Sequence, residues 1–314
     1  MIQTENHHWV PKFLLRNFAS DDGRVYSFDL ATGEIGKRPP KRLASSLNFN
    51  QLMVGDAPHV FEQTFERIET AAAPVIKKAL NQNRLSDLSG QDRFALSRFV
   101  AAQSFRTQAY REGLGASRRG YDIGKVISAH CDDIDQLANL IAMRRWALMR
   151  TGEDRPFVIG DNPLVLQNTA RPGDGGSLGL DMPGVEAMMP LSPCHALYMP
   201  SPDIGDLLIK GYWDALCIRS RMLAGFENHS DFTESEHATV ERCLQKGVCL
   251  YRALRLGEPL QADGENVINL NALQVFWASS KVFSNLKDFN FVKQVLDRSP
   301  RAREIIPVHL VRCG

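Results

Sequence analysis

No stretch of the chain approaches the roughly 18 uncharged apolar residues that a membrane-crossing helix needs. The opening Met1-Ile2-Gln3-Thr4-Glu5-Asn6-His7-His8 has neither the basic start nor the apolar centre of a secretory signal. Neither a membrane partner nor export by that route is expected. Cysteine is sparse and scattered: Cys131, Cys194, Cys217, Cys243, Cys249 and Cys313 form no C-x-x-C pair. That spacing leaves no zinc cage and no redox dithiol to propose, and it predicts free thiols in a cytoplasm, with no disulfide-linked partner. Net charge is almost absent too, with 37 Lys and Arg against 36 Asp and Glu. The whole chain therefore has no pull toward nucleic acid or an anionic surface, and any polyanion site must be local. The local basic groups, Lys37, Arg38, Lys41 and Arg42, then Arg118 and Arg119, then Arg144 and Arg145, read as solvated faces.

The common nucleotide and metalloprotease signatures are missing as well: there is no P-loop, no G-x-G-x-x-G and no H-E-x-x-H. Gly175-Gly176-Ser177-Leu178-Gly179 fits the serine-hydrolase pattern, but it lies in a loop between Pro172 and Pro183. A Ser177 nucleophile needs a strand before it and a helix after it, so this match is set aside. No internal repeat or low-complexity tract is present.

What remains is an ordinary globular composition, 44% hydrophobic and 23% charged, sufficient for a core of its own. Arg24 to Asp29 alternates in the strand manner, Ala31-Thr32-Gly33-Glu34 supplies a turn, and Ile35 to Lys37 resumes, which predicts a hairpin. Phe61, Phe65, Ile68, Ala72, Val75 and Ala79 fall at three- and four-residue steps and predict a helix from about Val60 to Leu80. Ser89 and Asp92 form a capping-box signature for a second helix, running to about Gly113 to Gly115. A third helical stretch is expected from about Asp122 to Arg150, broken near Cys131 to Asp135. Pro156 to Gly160 reads as a short buried strand, Val185 to Met199 as a strand pair around Pro190 to Pro193, and Glu234 to Gln245 and Val267 to Ser284 as helices. The fold class that follows is α+β, mainly helical, with an N-terminal hairpin and a small mixed or antiparallel sheet in the second half.

Asn6-His7-His8-Trp9-Val10-Pro11-Lys12-Phe13-Leu14-Leu15-Arg16-Asn17-Phe18 resembles the opening motif of the bacterial domain-of-unknown-function family 4238, with its His, Val-Pro and Leu-x-x-Phe. Asn48-Phe49, the helix holding Glu62 and Glu69, Ala102 to Thr107, Ile159 to Pro163 and Leu270 to Gln274 are similar to that family's later landmarks, in order. Gly160 departs from the Ser associated with its position, which removes a hydroxyl. The resemblance implies no reaction, and neither a cofactor nor a metal is assigned.

Roles must then come from side-chain chemistry. His8 suits acid/base work because its two ring nitrogens can do different jobs, or it is a buried His bonded to backbone; His7 is expected to face solvent. Glu62, Glu66 and Glu69 share a helix edge, a wet face from which Glu69 is the best exception, since it adjoins the small residues Ala71 to Ala73. Gln103 and Arg106 stand one turn apart. Arg106 either holds a phosphate or carboxylate by its planar fork, or forms an internal ion pair with Glu69 or Asp161. Asp161 and Asn162 close a strand end, as reacting groups do and as plain turn formers do. The candidate catalytic set is thus His8, Glu69, Arg106 and Asp161, and the candidate binding set Arg16, Gln103, Asn162, Asn271 and Gln274. The first reading is an enzyme using His8 on a phosphate-containing ligand, a nucleotide or nucleic acid. The second is a non-enzymatic binding or regulatory protein with a structural polar network. Convergence of His8, Arg106 and Asp161 on an open pocket separates the two.

The landmarks run from the first helix to the last without a linker, which predicts a single domain over residues 1–314. Limited proteolysis is expected to nick the Pro172 to Gly184 loop and release no separately folding half. Two stable halves would contradict it.

Overall fold

The computed structural model describes residues 5–116, 120–169, 178–224 and 233–299. Arg118, Arg119, Ser177 and Cys313 lie outside the described residues. The chain opens with a short strand β1 (Asn6–His8) and a one-turn helix α1 (Lys12–Arg16), with Pro11 at the N-cap where its missing N–H removes no helical bond. The expected hairpin follows as β2 (Val25–Asp29) and β3 (Ile35–Arg38), its turn held by Asp29 Oδ1 accepting the amides of Ala31 and Thr32. Next come β4 (Ser45–Leu47), antiparallel to β1, and a small hairpin of β5 (Gln51–Val54) and β6 (Ala57–Val60).

The helical middle begins with α2 (Glu62–Gln82), whose expected apolar stripe from Phe65 to Ala79 is buried. The Ser89–Asp92 capping box starts α3 (Gly90–Phe105). This helix stops short of the expected Gly113 to Gly115. The Thr107 hydroxyl accepts the Tyr110 amide and starts a separate helix, α4 (Gln108–Ala116). Then α5 (Ile123–Asp132) and α6 (Ile134–Ala142) divide at the expected break, but Ala147–Arg150 is strand β7, not helix. Its first three side chains are all buried, which a surface helix at this position would not achieve.

The second half adds β8 (Ile159–Gly160), β9 (Val165–Asn168), β10 (Val185–Ser192), β11 (His195–Pro200), α7 (Pro202–Ala224), α8 (Glu234–Leu256), β12 (Pro259–Gln261), α9 (Gly264–Trp277), β13 (Lys281–Ser284) and α10 (Asn290–Arg298). The helix expected over Val267 to Ser284 is therefore α9 followed by a strand. The largest sheet has the order β12-β7-β11-β10-β9 and is mixed, because β12 runs parallel to β7 while the other pairs are antiparallel. A four-stranded sheet, β3-β2-β13-β8, joins the N-terminal hairpin to the C-terminal strand. The architecture is α+β and mainly helical.

The main core draws on both halves of the chain, from Trp9 and Phe18 through Phe65 and Phe99 to Leu197 and Phe283. A smaller cluster, including Phe28, Val282 and Phe289, fills the space between the four-stranded sheet and α10. The opening segment belongs to the main core: Val10, Leu14, Leu15 and Phe18 are all 0% exposed. Truncating such a ring removes its transfer energy and leaves a cavity, so Phe18→Ala is expected to cost about 3–5 kcal/mol. A melting curve like that of the wild type would contradict the packing of this segment.

Candidate functional site

Two buried polar centres hold most of the candidate residues. The first lies where β1 meets α2 and α3. Arg106 caps the C-terminus of α3 and is 1% exposed, with its planar fork turned back into the protein. Its Nη1 donates to Glu69 Oε1 at 2.6 Å, and its Nη2 donates to the His8 carbonyl. The guanidinium carbon lies 4.5 Å from the centre of the Phe65 ring, a cation–π contact that needs no further desolvation. One arginine thus binds α2, α3 and the opening strand together.

A second arginine repeats the arrangement. Arg111 on α4 donates to the Phe49 carbonyl and, at 2.8 Å, to Asn50 Oδ1, and stacks 3.7 Å from the centre of the Phe49 ring. Asn50 passes the connection on: its amide side chain donates to Glu62 and its backbone N–H donates to His7 Nδ1 at 2.9 Å. His7 is therefore buried, contrary to the expected solvent-facing position, because its ring is the acceptor for a backbone group that has no strand partner. Of the carboxylate row, Glu62 and Glu69 are each drawn into this network, while Glu66 is exposed.

His8 itself is 5% exposed. Burial, with Lys12 and Arg106 nearby, pushes its imidazole down from 6.5 to about 4, against a hydrogen bond to the Lys41 backbone that favours the charged ring. It is neutral at pH 7. Among the described residues its Nε2 has no hydrogen-bond partner, nor does either amide atom of the fully buried Gln103 one turn before Arg106. Arg16 stands apart, exposed at the end of α1.

The second centre clamps the segment from Pro156 to Pro163 onto α9 and the loop after it. Asn271 accepts the Val158 amide at 2.9 Å and donates to the Pro156 carbonyl at 3.0 Å. Gln274 does the same one turn on, accepting from Gly160 N at 2.8 Å and donating to the Pro163 carbonyl at 3.0 Å. Gly160 is required by this proximity, since a Cβ there would lie 2.7 Å from the Gln274 carbonyl. The carboxylate of Asp161 takes the amides of Ser279, Ser280 and Lys281 and the Ser280 hydroxyl, at 2.6 to 3.1 Å. Burial raises its pKa, and those donors act in the opposite direction. Asn162 is buried beside it. Asp161, Asn162, Asn271 and Gln274 thus come together, as do His8, Glu69, Gln103 and Arg106, and the hydrogen bonds of the two sets share no residue.

An open groove of about 460 Å³ lies elsewhere, over the face of the five-stranded sheet and under the α7–α8 pair. Met188, Leu208, Leu250 and Leu260 give it apolar walls, and Glu186, Tyr198, Gln167 and Asn269 bring polar groups to it. Sequence reasoning passed over these residues. The available signal was Glu186 itself, a lone carboxylate in a strand buried at its first seven positions.

The family model for "Protein of unknown function (DUF4238)" matches residues 6–125 and 124–288. The chain belongs to DUF4238. No curated protein and no solved structure matches it. The DUF4238 match takes in both polar centres and the groove. Among the described residues no group of three or more His, Cys, Asp or Glu is arranged to hold a metal ion.

The neutral state of His8 has a thermodynamic consequence. Its pKa is lower folded than unfolded, so its contribution to stability is complete above about pH 6.5 and is lost as pH falls toward about 4. The difference is worth about 3 kcal/mol at most. His8→Gln is expected to melt with a flatter pH dependence between those limits than the wild type; equal slopes would contradict the assignment.

Proposed function

We propose that this DUF4238 protein is a ligand-binding protein whose two buried polar centres are scaffold and whose ligand occupies the groove under α7 and α8. The carrying observation is a contrast of exposure and partners. His8, Arg106 and Asp161 are 5%, 1% and 1% exposed, Arg106 is paired with Glu69, and the Asp161 carboxylate is filled by backbone and hydroxyl donors. The groove has the size of small-molecule sites, with apolar walls and a few convergent polar groups. A bacterial cytoplasm suits such a protein, its five described cysteines being free thiols.

A second reading has one observation in its favour. The unpartnered His8 Nε2 and Gln103 amide belong to residues next to Arg106, His8 through its carbonyl and Gln103 one turn before it on α3. Acid/base chemistry on a phosphate-containing substrate, nucleotide or nucleic acid, would use neutral His8 as base, Arg106 with Gln103 for the anion, and Glu69 to hold Arg106. Asp161, with its carboxylate filled by four donors, would act only through the fold.

Melting curves separate these readings before any ligand is known. Arg106→Ala leaves Glu69 and the His8 carbonyl without their partner, a loss of about 3–5 kcal/mol for a buried pair. The scaffold reading expects Arg106→Ala and His8→Ala both to melt many degrees below wild type. If both melt like wild type and His8→Ala also abolishes hydrolysis of bis(p-nitrophenyl) phosphate seen with wild type, the enzyme reading replaces it.

A further inference from the structure

Glu186 is the second residue of β10 and is 8% exposed, yet it lines the groove. Its carboxylate is gripped from three sides. Oε1 accepts the Tyr198 hydroxyl from the neighbouring strand β11, and Oε2 accepts Gln167 Nε2 at 3.0 Å and Thr169 Oγ1 at 2.9 Å. Gln167 is itself fixed, its Oε1 accepting Asn269 Nδ2 from α9 at 3.1 Å. All three donors to Glu186 are neutral. They orient the carboxylate, but none cancels its charge. Burial and the adjacent carboxylate push the Tyr198 phenol above its ordinary pKa, so it stays a donor.

No Lys or Arg among the described residues forms an ion pair with Glu186, although exposed carboxylates elsewhere, such as Asp206 and Asp214, have theirs. A buried charge without a counter-charge is costly in a core, where one finds it paired. In a groove wall the counter-charge can arrive with a ligand. The other charged groups of the lining do not supply it. Asp263 is occupied as the N-cap of α9, accepting the Asn266 amide at 2.8 Å, and Lys246 is exposed on α8. Two acids against one base leave the lining negative.

We propose that the groove recognises an organic cation, an amine or guanidinium on an apolar body, with Glu186 as its anionic anchor and Met188, Leu208, Leu250 and Leu260 against the body. This rests on the groove reading above. A bare metal ion fits less well, because one carboxylate already filled by three donors offers too few ligands.

The test uses the full chain and three matched probe sets, on phenyl, cyclohexyl and n-butyl bodies, each as the ethylamine, the ethanol and the acetate derivative. Binding is followed by ligand-observed NMR and titration calorimetry. Leu250→Trp, which fills the groove, locates it. The expected result is amines binding about tenfold tighter than the matched alcohols, the gain of a hydrogen bond to a charged group. Leu250→Trp should abolish that binding, and Glu186→Gln should remove the preference for the amine. Lys246→Glu provides the complementary check where Glu186→Gln fails to fold: it should tighten amine binding severalfold. Alcohols or acetates binding as well as the amines, with binding lost in Leu250→Trp, overturn the cation assignment and leave the groove reading standing. Absence of binding in all three sets, or binding that survives Leu250→Trp, overturns the groove reading and this proposal with it.

Discussion

The bond from Arg106 to Glu69 and to the His8 carbonyl is the constraint on which the N-terminal half depends. It sits where α3 must end, where α2 passes, and where the opening strand enters the core. A buried guanidinium needs partners for its charge, and here Nη1 meets a carboxylate that is itself 20% exposed at its side chain and Nη2 a carbonyl, while Nε has no partner among the described residues, so only half of the ion pair loses its water. The aromatic face of Phe65 covers the fork. Removing either partner strands a charge, whereas the apolar residues around it could shift and repack. The ion pair therefore fixes the register of three elements more tightly than burial of Leu14 or Phe18 does, since hydrophobic contact is non-directional.

The same solution recurs at Arg144 and around β8. Arg144 was expected on a solvated face beside Arg145, and only Arg145 is there, paired with Asp206. Arg144 is 2% exposed, and its fork collects the carbonyls of Leu180, Val185 and Met199. Asn271 and Gln274 perform the equivalent task with amides, each offering one donor and one acceptor to the stretch around β8, which has only two ladder residues of its own. Buried N–H and C=O groups must be satisfied by something. In this protein long polar side chains do what longer strands would do in a regular sheet. That explains why residue types associated with catalysis are so abundant in the interior without converging on one place.

Local rules acted where the structure is local: the stripe of α2, the Ser89–Asp92 box and the β2–β3 turn follow from neighbours within a few positions. Helix α7 was passed over because its buried residues, Gly205, Ala215 and Met222, make no continuous apolar stripe, while Leu207, Trp213 and Leu223 are exposed. Ala147 to Arg150 and Lys281 to Ser284 were assigned to helices that end before them. Both are short strands completed by partners far away, β7 by β11 and β12, and β13 by β2 and β8, and pairing at such separation leaves no periodic trace in four residues. The burial of His7 is illegible in the sequence for the same reason, since its partner, the Asn50 amide, lies 43 positions on.

The candidate residues were legible as a polar inventory but not as an arrangement. Sequence names the side chains; only geometry tells whether each charge has been spent. Arg106, Asp161, Asn271 and Gln274 have all found partners in the fold, and each partner reduces what is left for a substrate. Glu186 shares with Asp161 a full set of neutral donors and differs in standing in the wall of an open groove. Its hydrogen bonds are complete and its charge is not, because tyrosine, glutamine and threonine orient a carboxylate without neutralising it. Hydrogen-bond satisfaction and charge compensation are separate conditions. A buried side chain that meets the first and fails the second, in the wall of an open groove, is where an incoming group gains most from the protein. By that criterion the strand that reads as plain core carries the stronger candidate.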